Sequence, residues 1–200
     1  MITLFLATRP LINLVAPKSP GPLSLQTHLI RELWLALLAL VALLVGLAEE
    51  SLLRGYLQFV LARALGFWWT ALTLSLIFGL LHGGNGGETW LGLFGAGAAG
   101  LFCCLSLWYT KSLFWGVGFH SGLDWGEGYL YGTPHSGIVD PWRLIATHPT
   151  GDPLWSGGSA GPEGSLLWVP LLVASAVVMC LWWGRGRAAL GLREHGLTTQ

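Results

Sequence analysis

The chain has 200 residues, of which 53% are hydrophobic and only 10% are charged, and its formal net charge is zero. Soluble domains carry about 25% charged residues, so the composition excludes an ordinary soluble domain and indicates a polytopic membrane protein surrounded by lipid. Because the net charge is zero and the basic residues are scattered, we expect no nucleic-acid partner.

Hydrophobic stretches in chain order predict an all-α fold, a polytopic membrane bundle of about six transmembrane helices around a polar cavity. A crossing helix needs about 20 residues, and Pro and Gly mark the breaks between the stretches. The segment at 16–22 is a Pro-rich loop, and Gly66 is a turn. The crossings are expected at 30–46, 47–64, 67–82, 89–109, 113–130 and 165–183.

The chain is expected to form one membrane domain at 30–183, with an N-terminal segment at 1–29 and a basic tail at 184–200. We expect neither a cleavable signal peptide nor a lipidation box of its own. With six crossings, most Lys and Arg residues fall on one side, which the positive-inside rule makes cytoplasmic. The loop at 131–163 then faces outward, and the expected location is a bacterial inner membrane.

An acidic motif at 49–54, Glu-Glu-Ser-Leu-Leu-Arg, interrupts the apolar sequence. Each ionisable group costs about 2.5–3.5 kcal/mol at the centre of a bilayer helix, so such groups indicate function by default. Glu50 and Arg54 are four residues apart on a helix and are expected to pair. Glu49 points about 100° away, so it is the carboxylate left for chemistry.

Histidines on other helices are predicted to meet this motif. Glu49 lies 17 positions before Gly66 and His82 lies 16 positions after it, so an antiparallel hairpin places both at one depth. Two further pairs have the spacing of neighbours on one helix face; they are Phe78 with His82, and His120 with Asp124. We expect these positions to share one pocket.

A glutamate and two histidines allow two routes to hydrolysis. In one, Glu49 acts as general base on a water beside His82, and His120 stabilises an oxyanion. In the other, the three side chains bind a divalent metal such as zinc, whose fourth position holds the water. Both routes break a peptide bond within the membrane, and the residues leave the choice open.

The remaining polar and sulfur-containing residues are assigned structural roles. Four residues at or beyond the end of the fifth helix are expected to be solvated or to stabilise loops: Glu127, His135, Asp140 and His148. Glu88 is expected in the first turn of a helix, where the helix dipole favours a carboxylate. The cysteines have no metal-type spacing and are expected to pack as small apolar residues; they are Cys103, Cys104 and Cys180.

Three motifs in order, Glu-Glu-x-x-x-Arg at 49–54, Phe-x-x-x-His at 78–82 and His-x-x-x-Asp at 120–124, resemble those of the CPBP family. That family, also called Abi, comprises type II CAAX prenyl endopeptidases and bacteriocin-processing enzymes. The resemblance covers about residues 30–183 and implies an intramembrane endopeptidase acting on a membrane-associated peptide or protein, which is lipidated in the CAAX branch.

The resemblance also implies a role for each motif residue. By this analogy Glu49 and His82 activate the water, and His120 and Asp124 lie on the oxyanion side. The supporting residues are Glu50, Arg54 and Phe78. Position 124 departs from the prenyl proteases, which have Asn there. An ionised Asp donates no hydrogen bond, so Asp124 would have to be protonated, bind a metal or orient His120.

Two other classes of membrane protein compete with an enzyme. A non-catalytic scaffold or a bacteriocin-immunity protein could keep the same fold, but it would not need three costly ionisable groups together. A transporter could use the same charges as an ion path. It should show inverted repeats or paired broken helices, and the sequence contains neither.

Overall fold

The computed structural model describes the backbone of residues 12–14, 25–140 and 143–196, and the side chains of residues 33–140 and 143–184. Helices make up most of it, which confirms the predicted helical class. The elements are β1 (Ile12–Leu14), α1 (Leu25–Glu50), the π-helix π1 (Ser51–Leu57), α2 (Gln58–Leu65), α3 (Phe67–Leu81), α4 (Trp90–Thr110), α5 (Phe114–Asp124), the π-helix π2 (Trp125–Tyr131), β2 (Thr147–Pro149), α6 (Pro153–Ser156) and α7 (Trp168–Gly196).

The first two predicted crossings are one helix. α1, π1 and α2 follow without a break, and the apolar part runs over 33 residues from Leu33 to Leu65. The predicted division into 30–46 and 47–64 is therefore wrong. Gly46, at the predicted boundary, lies inside this helix and against α5, where a Cβ would collide with the Ser121 hydroxyl. At about 1.5 Å per residue the 33 residues from Leu33 to Leu65 span about 50 Å, well beyond a hydrocarbon core of about 30 Å.

Among the residues that the structure describes, three helices are long and apolar enough to cross a membrane: Leu33–Leu65, Phe67–Gly84 and Trp90–Thr110. Trp168–Gly184 is a shorter apolar helix. Large apolar side chains face outward along these helices, among them Trp69, Phe94 and Trp182, which are 69%, 61% and 75% exposed. Because a soluble monomer rarely exposes such continuous apolar surface, the helices point to a membrane protein.

Close contact between α3 and α4 depends on glycine. A Cβ added at Gly79 would collide with the Leu93 carbonyl, and the backbone of Gly97 lies next to the same position. Small residues at helix crossings let two backbones approach in this way, as the glycines of α4 predict. Farther along α4, Gly100 leaves room for the guanidinium of Arg54. This packing brings α3 and α4 against the acidic motif of α1 and π1.

Two polar contacts fix the outer parts of the bundle. Gln58 is buried and donates from Nε2 to the Phe67 carbonyl at 2.9 Å, which ties the start of α2 to the start of α3. β1 pairs with β2 in an antiparallel ladder that places Asn13 opposite His148. α7 is helical to Gly196, into the segment predicted as a tail; the domain division itself stays a prediction.

Candidate active site

A cavity of about 460 Å³ lies between the helices, within the usual size range of ligand pockets, about 300–1,000 Å³. The structure brings most of the predicted site residues to its wall: Glu49, Glu50, Phe78, His82, His120 and Asp124. Apolar side chains on the same helices form another part of the wall; they include Val45, Leu52, Leu53, Leu81 and Phe119. The pocket expected from the sequence therefore exists, with apolar surface beside the polar groups.

Glu50 and Arg54 form the predicted pair behind the cavity. Arg54 Nη1 donates to Glu50 Oε1 at 2.9 Å, and both side chains are 1% exposed. The guanidinium carbon lies 4.6 Å from the centre of the Phe78 ring, a cation–π contact that is strongest when desolvated. π1 begins directly after Glu50, and π-helical turns are frequent at functional sites.

His120 is surrounded by three carboxylates. Its Nδ1 lies 3.0 Å from Glu50 Oε1, and its Nε2 lies 3.7 Å from Glu49 Oε2 and 3.7 Å from Asp124 Oδ2. Since a carboxylate only accepts, the short contact fixes Nδ1–H as the donor to Glu50. Nε2 is then the nitrogen that faces the cavity groups Glu49 and Asp124.

His82 is oriented by its own helix. Its Nδ1 lies 2.7 Å from the Phe78 carbonyl oxygen, and because a carbonyl only accepts, Nδ1 carries the proton. Nε2 therefore keeps its lone pair in the neutral ring. The Phe78 ring touches both imidazoles edge-on, with ring centres 4.6 Å from His82 and 5.8 Å from His120. Phe78 thus separates the two histidines and fixes the tilt of each ring.

Glu49 is the least constrained of the site carboxylates. Its side chain is 43% exposed, and its nearest ionisable partner among the described side chains is His120, at 3.7 Å. No hydrogen bond joins the Glu49 carboxylate to any described residue, in contrast to Glu50 on the next position. The Glu49 carboxylate thus faces the cavity without a hydrogen-bond donor among the described residues, and its catalytic role stays a prediction.

The three residues predicted as metal ligands do not form a ligand set in this conformation. Among the described residues, no three His, Cys, Asp or Glu side chains are grouped as a metal ion requires, although Glu49, His82 and His120 share the cavity. A catalytic zinc needs three protein ligands at about 2.0–2.2 Å. The zinc route stays a prediction.

Sequence reasoning missed part of the wall. Glu127, His135 and Glu163 also line the cavity, and Glu127 is only 4% exposed, so the expectation of a solvated Glu127 is wrong. The helix continues beyond Asp124 as π2 and carries Glu127 inward. Its spacing of three residues from Asp124 is the signal that could have placed it on the same face.

The other polar residues that the sequence singles out in the 131–163 loop contact one another or are exposed to solvent. His135 Nδ1 lies 3.6 Å from Asp140 Oδ2, and both side chains are less than one fifth exposed, which fits the predicted loop role. His148 lies on β2 and is exposed.

Cys103 and Cys104, on α4, are buried as expected of packing residues.

A capping loop, defined as residues 132–138, covers one end of the cavity. His135 and Ile138 exchange backbone hydrogen bonds at 2.9 Å. Asn85 Nδ2 donates to the Ser136 carbonyl at 2.6 Å, and the Ser136 N–H donates to Glu163. Gly137 has φ +72°, and a Cβ there would collide with the Glu88 backbone, so only glycine fits. These bonds hold the loop against Asn85, in the segment after α3, and Glu163, in the segment before α7.

Glu88 lies outside the helices, close to the capping loop. The N-cap of α4 is Thr89, whose side chain accepts from the Gly92 N–H, so Glu88 precedes the cap and is not in the first turn as predicted. Its Oε1 accepts from the Thr89 N–H at 2.8 Å. Burial is the largest influence and raises the pKa of Glu88; the Glu163 carboxylate acts in the same direction, while the Thr89 bond opposes it.

Glu88→Gln should stabilise the protein at pH 7 but not at pH 4. A raised carboxyl pKa means that the folded state holds the proton more tightly, so stability is lost as pH rises above the ordinary value of 4.5. Glutamine keeps the acceptor for Thr89 and does not ionise. Thermal unfolding of both proteins in one detergent at the two pH values measures the difference. An equal difference at pH 4 and pH 7 would contradict this assignment.

Comparison with known proteins supports the family inferred from the motifs. A family model described as Type II CAAX prenyl endopeptidase Rce1-like matches residues 31–126. The matched segment contains all three motifs, and the predicted resemblance to the CPBP family is confirmed. Comparisons with curated proteins and with solved structures give no match.

Proposed function

We propose that this chain, which through residues 31–126 belongs to the Rce1-like family of type II CAAX prenyl endopeptidases, hydrolyses a peptide bond of a membrane-associated peptide with water activated by Glu49. The observation that carries the proposal is the Glu49 carboxylate, which lies 3.7 Å from His120 and lines the same cavity as the oriented imidazole of His82. Buried ionisable groups are retained in membrane helices where they act on a substrate or an ion.

Attack on the substrate begins with a water between Glu49 and His82. Glu49 takes a proton from the water as general base, and the lone pair of His82 Nε2 accepts the second O–H and orients it. The water oxygen bonds to the carbonyl carbon of the peptide, whose oxygen becomes an oxyanion. A positioned general base of this kind contributes about 10²–10⁴-fold.

His120 is proposed to stabilise the oxyanion as an imidazolium. Three neighbouring carboxylates attract a positive charge on this ring, and Glu50 holds Nδ1 so that Nε2–H is presented to the cavity. Asp124 acts through His120, as a charge partner 3.7 Å from Nε2. This role needs no hydrogen-bond donor on residue 124, which explains how Asp serves where the prenyl proteases have Asn.

Collapse of the intermediate completes the reaction. The C–N bond breaks as Glu49 returns its proton to the leaving nitrogen, so that one fragment ends in a carboxylate and the other in an amine. Glu49 is regenerated in its ionised form, and no other co-reactant is consumed. The apolar wall beside the polar groups accommodates the neighbouring part of a membrane peptide, lipidated or not.

The location is proposed as a multi-pass protein of a bacterial inner membrane. If α1 to α2, α3, α4, α5 to π2 and α7 each cross once, the N-terminal segment shares a side with the capping loop. Apart from Arg54 inside the bundle, the basic residues are then nearly balanced between the two sides of the membrane. One side would have five (Arg63, Lys111, Arg185, Arg187 and Arg193), and the other would have four (Arg9, Lys18, Arg31 and Arg143). The single long first helix thus removes the strong charge bias that six crossings gave.

Peptide cleavage by purified protein tests the proposal. Two membrane peptides of one sequence, one farnesylated on cysteine and one not, are incubated in liposomes with the protein, and fragments are identified by mass spectrometry. We expect cleavage of at least one peptide at a single bond. Intact peptides, together with full rescue of a null strain by His82→Ala, would instead favour a non-catalytic scaffold or immunity protein.

A further inference from the structure

The cavity has an excess of negative charge that the three motifs do not explain. Three imidazoles line it, and among the described residues no Lys or Arg does so. Arg54 neutralises Glu50 from behind, and His120 lies beside Glu49 and Asp124, which leaves Glu127 and Glu163 without a cationic partner among the described residues. The carboxylates of the wall are Glu49, Glu50, Asp124, Glu127 and Glu163.

Glu127 is the carboxylate with the least support from the protein. It is 4% exposed, lines the cavity, and makes no side-chain hydrogen bond or ion pair with any residue that the structure describes. The charged groups that act on it are the carboxylates of Glu163 and Asp124, which repel a negative charge on Glu127. A buried carboxylate without a partner is costly, and a cation arriving in the cavity would offset that cost.

Glu163 completes the arrangement from the opposite part of the chain. One of its carboxylate oxygens accepts the backbone N–H of Ser136 in the capping loop, which fixes its direction. The other oxygen makes no hydrogen bond to a described residue. Glu127 is held by π2, whose Glu127 carbonyl accepts from the Thr133 N–H at 2.9 Å. Two fixed carboxylates from distant segments thus face one space.

The geometry points to a subsite in which Glu127 and Glu163 bind a basic side chain of the substrate peptide. A metal ion is the poorer fit, because no three ligating side chains are grouped closely enough among the described residues. An ammonium or guanidinium group on a flexible stem spans a wider gap with several N–H donors. This inference rests on the proposed function, since it assigns the charge of the peptide that the same cavity takes.

Binding to an inactive variant tests the subsite without relying on catalysis. Glu49→Gln protein in liposomes is titrated with membrane peptides that differ only by Lys or norleucine at successive positions. Charge-assisted hydrogen bonds predict about 10-fold tighter binding of Lys over norleucine at one position. Adding Glu127→Gln should bring that ratio close to one, and Glu163→Gln should lower it.

Asp152→Asn is the matched control. Asp152 is exposed and caps α6 by accepting from the Leu154 N–H, so the change removes one negative charge away from the cavity, and the ratio should persist. Equal affinity for all Lys and norleucine peptides overturns the subsite even if wild-type protein cleaves them. Selective binding of one Lys peptide that wild-type protein leaves intact upholds the subsite and overturns the proposed hydrolysis.

Discussion

Glu49→Gln is expected to lower kcat/KM for peptide cleavage by about 10³-fold or more. The amide cannot take a proton from water, and a lost general base removes about 10²–10⁴-fold of rate. The fold should survive, because the side chain is 43% exposed and makes no hydrogen bond to a described residue; its nearest ionisable partner is His120, at 3.7 Å. Fragment formation in liposomes under single-turnover conditions measures the change.

Ser51→Ala is the control for this prediction. Ser51 lies two residues after Glu49, at the start of π1; it is exposed and lies outside the cavity wall. We expect its rate and its thermal midpoint to match those of the unmodified protein. A Glu49→Gln protein that unfolds at the unmodified midpoint and still cleaves at the normal rate would remove Glu49 from the mechanism.

Arg54→Met should produce the largest loss of stability. The change leaves Glu50 as a buried charge without its partner and removes the cation over Phe78. Breaking a buried ion pair from one side costs about 3–5 kcal/mol. Reversible unfolding in mixed micelles, followed by circular dichroism, measures the free energy. Activity should fall as well, since Glu50 holds Nδ1 of His120.

A double replacement separates the pair from the packing. Glu50→Gln with Arg54→Met removes both charges, so the double variant should be more stable than Arg54→Met alone. The interaction energy follows from the four proteins of the cycle. If the double variant loses as much as the two single variants added together, the ion pair contributes no coupling and our description of it is wrong.

Local spacing predicted much of the site. The interval of four residues between Glu50 and Arg54 defines one helix face whatever the surrounding fold, and the structure forms that pair. Counting residues on each side of Gly66 predicts that Glu49 and His82 lie at one depth, and the chain does turn at Gly66. Such arguments need only helix geometry and one break.

The parts that failed depend on contacts distant in sequence. The apolar run at 30–64 contains Gly46, and only the neighbouring Ser121 shows that this glycine serves helix packing. The position of Glu127 near the end of the fifth helix predicts a solvated or loop-stabilising role, whereas the helix continues as π2 and buries the side chain in the cavity wall. Composition alone contains no signal for the helix packing at Gly46 or for the burial of Glu127.

Cleavage of a membrane peptide in water enriched in ¹⁸O tests the central claim most directly. Water activated by Glu49 should place one ¹⁸O atom in the new carboxylate of one fragment, and the Glu49→Gln protein should yield no fragments. Fragments that form equally with Glu49→Gln, or a folded unmodified protein that leaves every peptide of the Lys and norleucine series intact, would contradict hydrolysis at this site.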